Sequence, residues 1–322
     1  MRAIRFHEIG GPEVLRLERV SDPIPGPGRA VIRIEAAGVN FSEIYQRTGL
    51  YKVGLPATPG SEAAGVVVAV GEGVADVAPG DRVVSTSVSG AYAELALVQS
   101  DRLVKIPDGI TARQAAAVML QGMTAHYLAC ATRPLGPGDT CLVHAAAGGV
   151  GLLLCQIAKR RGARVFGTVS TAEKARLARE AGADEVIRYA EQDVEAEVRR
   201  LTHGAGVQVV YDSVGRATFE ASLRSLARRG MLVLFGQSSG PVGAVDPQAL
   251  NQHGSLFLTR PALQHYTATR AELLERANEV FAWVRDGSLK VRVDRERPLA
   301  DAAEAHRALG SRATTGKLLL IP

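Results

Sequence analysis

The stretch that most constrains this chain is Thr140-Cys141-Leu142-Val143-His144-Ala145-Ala146-Ala147-Gly148-Gly149-Val150-Gly151. A short apolar run breaks into a turn of small residues, and a helical pattern starts at once. Leu152, Leu153, Leu154, Ile157 and Ala158 share one side of it, Lys159, Arg160 and Arg161 fill its last turn, and Gly162 stops it. Strand, tight turn and helix in that order make the first half of a βαβ unit. The turn reads Ala146-x-Gly148-x-x-Gly151, a dinucleotide fingerprint with alanine in place of its first glycine. Small residues there permit a sharp turn, close backbone approach to a pyrophosphate, and close packing of helix on strand. Ala146, Gly148, Gly149, Val150 and Gly151 are therefore expected to cradle phosphates at a helix N-terminus, where N–H groups and the dipole favour anions.

From Asp139 onward the rhythm is strand, helix, strand, helix. Apolar runs at Arg164 to Val169, Glu185 to Ile187, Val207 to Tyr211, Met231 to Phe235 and Ser255 to Thr259 follow the first strand, with helical patterns between them. Six strands with crossover helices predict an α/β, doubly wound (Rossmann) parallel six-stranded sheet. Residues 1 to 120 differ: short runs at Ala30 to Ala36, Ala64 to Val70, Asp81 to Val84 and Ala91 to Val98 are separated by Gly/Pro turns. That spacing predicts a β-rich, partly barrel-like domain. Thr111-Ala112-Arg113-Gln114 has capping-box form ahead of an alanine run, and a further helical pattern runs from Gly122 to Thr132. After Pro261 come an amphipathic helix over Arg270 to Arg285, a second helix near Ala300 to Leu309, and the apolar strand Leu318 to Ile321. These last sixty residues are expected to return to the first domain.

Composition narrows the function classes. The net charge is +5, but the arginines are scattered among acids rather than blocked, so a nucleic-acid partner is not expected. No apolar run reaches the roughly 18 residues of a membrane span, and the N-terminus lacks a signal-peptide core, so a cytoplasmic protein is expected. The three cysteines, Cys130, Cys141 and Cys155, show no metal or disulfide spacing, and Cys141 and Cys155 read as small core residues.

Several segments in a fixed order carry a resemblance. They are Gly38-Val39-Asn40-Phe41, Pro59-Gly60-Ser61-Glu62-Ala63-Ala64-Gly65, His144 to Gly151, Tyr211-Asp212-Ser213-Val214-Gly215, Phe235-Gly236-Gln237-Ser238-Ser239-Gly240, Thr259-Arg260-Pro261 and Ser311-Arg312-Ala313-Thr314-Thr315-Gly316. From Phe6 to the C-terminus the chain resembles the medium-chain dehydrogenase/reductase superfamily, and within it the zinc-free quinone oxidoreductase (zeta-crystallin-like) branch. The resemblance implies a catalytic (GroES-like) domain of residues 1–122 and 263–322 and a Rossmann cofactor-binding domain of residues 123–262. It also implies a homodimer joined through the edge strand 255–259. In zinc-dependent relatives a cysteine stands at the position of Asn40 and a histidine at that of Ser61; of that set only the acid, Glu62, remains here. One glutamate does not hold zinc, so no metal is expected.

The resemblance further implies NADPH as cofactor and a quinone as acceptor. The alternatives are an NADPH-dependent enone or alkenal double-bond reductase and, outside the enzymes, a zeta-crystallin-like RNA-binding protein. An NAD site usually ends its second strand with an acid about 20 residues past the fingerprint. Here Gly167-Thr168-Val169-Ser170-Thr171 carries none, and Lys174 follows one turn later. Ser170 and Lys174 are therefore candidates for a 2′-phosphate. A compatible reading makes Ser170 a helix cap with Glu173 completing the box and Lys174 solvated. Tyr189 is a candidate for the adenine end, and Thr124, Ser213, Phe235, Gly236, Gln237, Ser238, Arg312 and Lys317 are candidates for the remaining cofactor contacts. Asn40, Tyr45 and Tyr51 are expected in the loop that faces the nicotinamide in similar enzymes. A tyrosine hydroxyl there can donate to a carbonyl oxygen as charge develops on it. Thr124, alternatively, is a helix residue bonding backward, and Tyr45 and Tyr51 are loop packing. His144 is given no chemistry.

Overall fold

Two sheets organise the chain, each inside its own unit. A computed structural model describes all of residues 1–322. One unit comprises Met1–Leu120 with Thr269–Pro322, the other Gln121–Ala268.

The first unit opens with an antiparallel pair, β1 (Arg2–Arg5) and β2 (Arg16–Arg19). Strand β3 (Arg29–Val39) runs straight into helix α1 (Phe41–Arg47). Strands β4 (Glu62–Val70), β5 (Arg82–Ser85), β6 (Leu95–Gln99) and β7 (Val104–Lys105) follow, then helix α2 (Ala112–Tyr127). Thr111 and Gln114 start α2 with reciprocal side-chain to backbone bonds of 3.2 and 2.9 Å.

The second unit alternates throughout. Its first three strands are β8 (Thr140–Val143), β9 (Arg164–Val169) and β10 (Glu185–Arg188), joined by α3 (Gly149–Arg160) and α4 (Ala172–Glu180). Helix α5 (Val194–Leu201) leads to β11 (Val207–Asp212), and α6 (Phe219–Ser225) to β12 (Leu226–Leu234). Helix α7 (Pro247–Gln252), strand β13 (Phe257–Thr259) and helix α8 (Leu263–Tyr266) complete it. The order β10-β9-β8-β11-β12-β13 is all parallel, and it reverses between β8 and β11, the switch point at which such sheets bind ligands. Strands covered on both faces need apolar residues on both; Cys141, Leu142, Val143, Val209, Val210 and Tyr211 are all fully buried.

The chain then rejoins the first unit as α9 (Arg270–Arg285), β14 (Val293–Pro298), α10 (Ala302–Gly310) and β15 (Lys317–Ile321). A Thr269–Glu272 capping box starts α9, and Leu273, Ala277, Val280, Phe281 and Trp283 form its buried face. Strand β15 lies between β14 and β3 in a sheet ordered β14-β15-β3-β4-β5-β7, with β6 also on β3. Its Leu318 and Leu320 join Phe6, Ile32, Tyr92 and Leu103 in the core.

Some expectations need correction. Asn40-Phe41-Ser42-Glu43 starts a helix, so Tyr45 stands on α1 rather than in a loop. Gly122 does not divide α2, because one interior glycine costs only about 1 kcal/mol and buried neighbours offset it. The edge strand is Phe257–Thr259, shorter than 255–259: Ser255 takes a φ of 57° and Leu256 turns into the core. Thr171, not Ser170, caps α4, accepting from Lys174 N–H at 3.2 Å. The polar strand β14, Val-Asp-Arg-Glu-Arg-Pro, has no signature in the sequence pattern, because a charged edge strand carries no apolar alternation.

Strand β9 explains how alanine replaces the first glycine of the fingerprint. A Cβ placed on Gly167 would lie 2.8 Å from the Cβ of Ala146. Gly167→Ala is expected to destabilise the protein by about 1–3 kcal/mol through overpacking, and adding Ala146→Gly to recover most of it. Denaturant melts of the three variants check this; no recovery in the double variant would refute the contact.

His306 on α10 is 1% exposed, its Nε2 is 3.2 Å from the Tyr92 hydroxyl, and burial, assisted by Arg47, pushes it down to about 3. The folded value lies below the unfolded 6.5, so only the unfolded chain takes up this proton in between. Stability is therefore whole above pH 6.5 and falls as pH drops toward 3, by up to about 1.4 kcal/mol per pH unit for this group. His306→Gln should flatten the acid limb of stability against pH by that slope. An unchanged limb would show that the histidine protonates in the folded state.

Candidate functional site

At the carboxyl ends of the parallel strands the second unit gathers loops of small residues. After β8, Ala145 turns the chain with a φ of 52°, and Gly148 N–H donates to its carbonyl at 2.8 Å. Ala146 N–H donates to Thr168 O at 3.0 Å, which pins the turn to β9. A Cβ on Gly151 would sit 2.3 Å from Ala145 O, so α3 approaches the turn more closely than any side chain allows. Gly148 is the N-cap and offers no side-chain cap to α3. The first-turn N–H groups of Gly149, Val150 and Gly151 have no intrahelical acceptor. This cradle fits a pyrophosphate: it is small-walled, rich in N–H donors and at the positive end of a twelve-residue helix.

Next to it the loops after β11 and β12 are laced together. Phe235 N–H donates to Asp212 O at 2.8 Å and Ser238 N–H to Ser213 O at 3.2 Å, and a Cβ on Gly236 would meet Ser213 O at 2.5 Å. Asp212, fully buried, accepts from Val214 and Gly215 N–H at 2.7 and 3.0 Å and from the Thr218 and Ser222 hydroxyls at 2.7 and 2.9 Å. Ser222 Oγ lies 3.0 Å from His144 Nε2, and Thr168 Oγ1 lies 3.0 Å from its Nδ1. Burial pushes His144 below its usual value, although Asp212 opposes this. His144 is thus a buried strut beneath the loops. Ser170 is half-buried after β9, Lys174 sits in the first turn of α4, and Tyr189, 47% exposed, donates its N–H to Val169 O at 3.1 Å. Thr124 is buried on α2, and Gln237 is half-buried between Gly236 and Ser238.

The first unit brings a different set together. Asn40 follows the last residue of β3, Glu62 begins β4 and Lys317 begins β15, three neighbouring strands whose matching ends meet. Lys317 Nζ lies 2.5 Å from Glu62 Oε2 and donates to Asn40 Oδ1 at 2.7 Å. Asn40 Nδ2 donates to Glu62 Oε2 at 3.3 Å, and Leu120 N–H to Glu62 Oε1 at 2.6 Å. Lys317, a candidate for a cofactor contact, is 1% exposed. A buried ammonium needs an anion, and Glu62 is the one within reach. Arg312 stays exposed after α10 with a φ of 59°. Tyr45 is buried and Tyr51 is 41% exposed, their rings edge to face at 5.2 Å.

Glu43 escaped the sequence reading, although N-x-x-E at Asn40 to Glu43 is the spacing of a capping box. Its buried carboxylate accepts from Asn40 N–H at 2.9 Å, Ser61 N–H at 3.1 Å and Ser61 Oγ at 2.7 Å. Burial raises its pKa, and the Ser61 hydroxyl and the Lys317 charge pull it back. Glu62 is already paired with an ammonium, while Asn40 and Ser61 are neutral oxygen donors. No group of three or more His, Cys, Asp or Glu side chains is placed to hold a metal ion. This donor set does not fit zinc.

Comparison with known proteins gives a consistent picture. Residues 26–108 match the alcohol dehydrogenase GroES-like domain, and residues 149–279 match the zinc-binding dehydrogenase family. A quinone oxidoreductase of Pseudomonas aeruginosa is 47% identical, covering 100% of this chain and 99% of its own. The crystal structure of Escherichia coli quinone oxidoreductase complexed with NADPH, 47% identical, superposes with a TM-score of 0.98 over 100% of both chains. A mycobacterial protein complexed with NADPH is 50% identical, again with a TM-score of 0.98 over 100% of both. The chain belongs to the quinone oxidoreductase branch of the medium-chain dehydrogenase/reductase superfamily.

Proposed function

We propose that this protein is an NADPH-dependent quinone oxidoreductase that works without a metal ion. The observation that carries the reading is the uncapped N-terminus of α3, closed to any Cβ at Gly151 and lined by N–H donors. The likeness to quinone oxidoreductases and to NADPH complexes supports the choice of acceptor and cofactor. The unit Gln121–Ala268 is the cofactor-binding domain, and Met1–Leu120 with Thr269–Pro322 the catalytic one.

NADPH, when bound, supplies the hydride that reduces the quinone. Ala146, Gly148, Gly149, Val150 and Gly151 hold its pyrophosphate with backbone N–H groups. Ser170 and Lys174 receive the 2′-phosphate, and Tyr189 borders the adenine. Thr124, Ser213, Phe235, Gly236, Gln237 and Ser238 serve the nicotinamide half, and Arg312 adds positive charge toward the phosphates. Asn40 orients the reacting groups, while Tyr45 and Tyr51 donate hydrogen bonds to the acceptor oxygen as negative charge grows on it. The paired state of Glu62 and the neutrality of Asn40 and Ser61 support chemistry without zinc.

Turnover of NADPH with 1,4-benzoquinone, with an alkenal, and after exhaustive chelation tests the reading. Quinone should be the faster acceptor and chelation should leave the rate unchanged. A preference for the alkenal, or an activity restored by added zinc, would refute it.

Two coarser features complete the proposal. The cysteines are all free, as suits a reducing compartment, and no helix is long and apolar enough to cross a membrane; we assign the protein to the cytoplasm. Phe257 on the edge strand β13 is 56% exposed, and an apolar open edge invites pairing with a second copy. Light scattering at micromolar protein should give the mass of a homodimer, and the mass of a single chain would remove that part of the proposal.

Cofactor preference gives the sharpest expectation. No acid stands at the end of β9, and Lys174 lies in the first turn of α4 just beyond it. A charge-assisted contact is worth about 1.5–3 kcal/mol, so NADPH should bind at least ~10-fold more tightly than NADH. Lys174→Ala should raise the NADPH dissociation constant by about that factor and leave that of NADH almost unchanged. Fluorescence titrations at fixed salt decide it: equal losses for both cofactors would show that the lysine serves the fold.

A further inference from the structure

We propose that Lys317 is a positioning residue whose buried ammonium, shared between Glu62 and Asn40, holds the Asn40 side chain in a single orientation for the reaction. The proposal rests on the reading of Asn40 as a group that meets the reactants, and goes beyond it by naming what aims that group.

The three residues come from segments far apart in the chain, yet they meet at the aligned ends of β15, β3 and β4. Lysine offers only donors and an ionised carboxylate only acceptors. Asn40 lies alongside this direct ion pair and touches both members, with Oδ1 toward the ammonium at 2.7 Å and Nδ2 toward the carboxylate at 3.3 Å. Rotating the amide by half a turn would set NH2 against ammonium and oxygen against carboxylate. The charges therefore specify one of two otherwise similar rotamers. Nδ2 also donates to Gly38 O at 3.4 Å, and Glu43 holds the Asn40 backbone N–H at 2.9 Å. Space is kept open for this arrangement: a Cβ on Gly38 would lie 2.2 Å from Glu62 Oε2 and 2.8 Å from Lys317 Nζ.

Stability is a poor account of such a pair. Lys317 is 1% and Glu62 0% exposed, and burying two charges costs about as much as their attraction returns. Orientation of a polar neighbour is what the pair adds and an apolar pair would not. Direct service to a cofactor fits less well, since Lys317 is 1% exposed against 7% for Asn40 and both contacts of its ammonium are used within the cluster.

Lys317→Met alone would strand a buried carboxylate, so the informative variant is Lys317→Met with Glu62→Gln, which removes both charges at similar size. It is compared in wild-type and Asn40→Ala backgrounds. The readouts are kcat and KM for 1,4-benzoquinone with NADPH, the NADPH dissociation constant, thermal melting, and the 15N–1H signals of the Asn40 side-chain amide, identified by their loss in Asn40→Ala. The paired variant should melt cooperatively and bind NADPH within about twofold of wild type, while kcat falls about tenfold or more, as misaimed groups require. Its Asn40 amide signals should move toward those of a solvated asparagine. In the Asn40→Ala background the same two changes should alter kcat by less than about twofold, because the residue they aim is gone. An NADPH constant that rises as far as kcat falls would overturn the proposal, and so would equal losses of kcat in both backgrounds or unmoved amide signals. A wild-type protein that does not oxidise NADPH with quinone would overturn the functional reading instead, and the amide signals would still judge the positioning.

Discussion

Helix α3 lies so close to the turn after β8 that no side chain fits between them, and the architecture of the second unit follows from that approach. Gly151 faces Ala145 O at a distance where a Cβ would be 2.3 Å away, and Gly167 on the neighbouring strand leaves room for Ala146. These small residues bring the helix N-terminus down onto the sheet, where its N–H groups and dipole face the strand ends. Large side chains would lift the helix and carry its first-turn N–H groups away from the strand ends. The fold and the site therefore share one steric condition.

The loops around that cradle are held from below by polar groups rather than by apolar packing. Asp212 satisfies two backbone N–H groups of its own loop and two hydroxyls of the following helical segment, and the Ser222 hydroxyl links it to His144. A buried carboxylate with four donors fixes a loop that has almost no side chains to pack. The small-residue loops after β8, β11 and β12 are tied together by this network and by the Ser238 N–H to Ser213 O hydrogen bond.

In the first unit the comparable element is ionic. Two fully buried glutamates flank Asn40, Glu43 on its backbone and Glu62 on its side chain, with a single ammonium at Glu62. The two carboxylates live differently as a result: Glu62 pairs directly with Lys317, while Glu43 accepts three hydrogen bonds, and burial raises its pKa against the pull of the Ser61 hydroxyl and the Lys317 charge. An asparagine held at its backbone N–H by one carboxylate and at its side chain by the other has little rotational freedom.

The sequence by itself determined the parallel sheet, because buried strands and amphipathic helices write their periods directly into the chain. Arg164–Val169, Val194–Leu201 and Arg270–Arg285 end where composition, caps and glycines say they should. It marked the tight turn between β8 and α3 too, since Ala146, Gly148 and Gly151 are small residues at fixed spacing between strand and helix, where α3 closes on the turn. What lay beyond it were elements without an apolar pattern, such as β14, and a helix whose start was hidden in a polar N-x-x-E. Only the tertiary structure decided the company that Lys317 keeps. Its partners lie 255 and 277 residues away, and nothing local to Thr315-Gly316-Lys317 distinguishes a surface lysine from a buried one. The burial follows from β15 entering between β14 and β3, and the charge then pairs with the one carboxylate that the strand ends bring within reach.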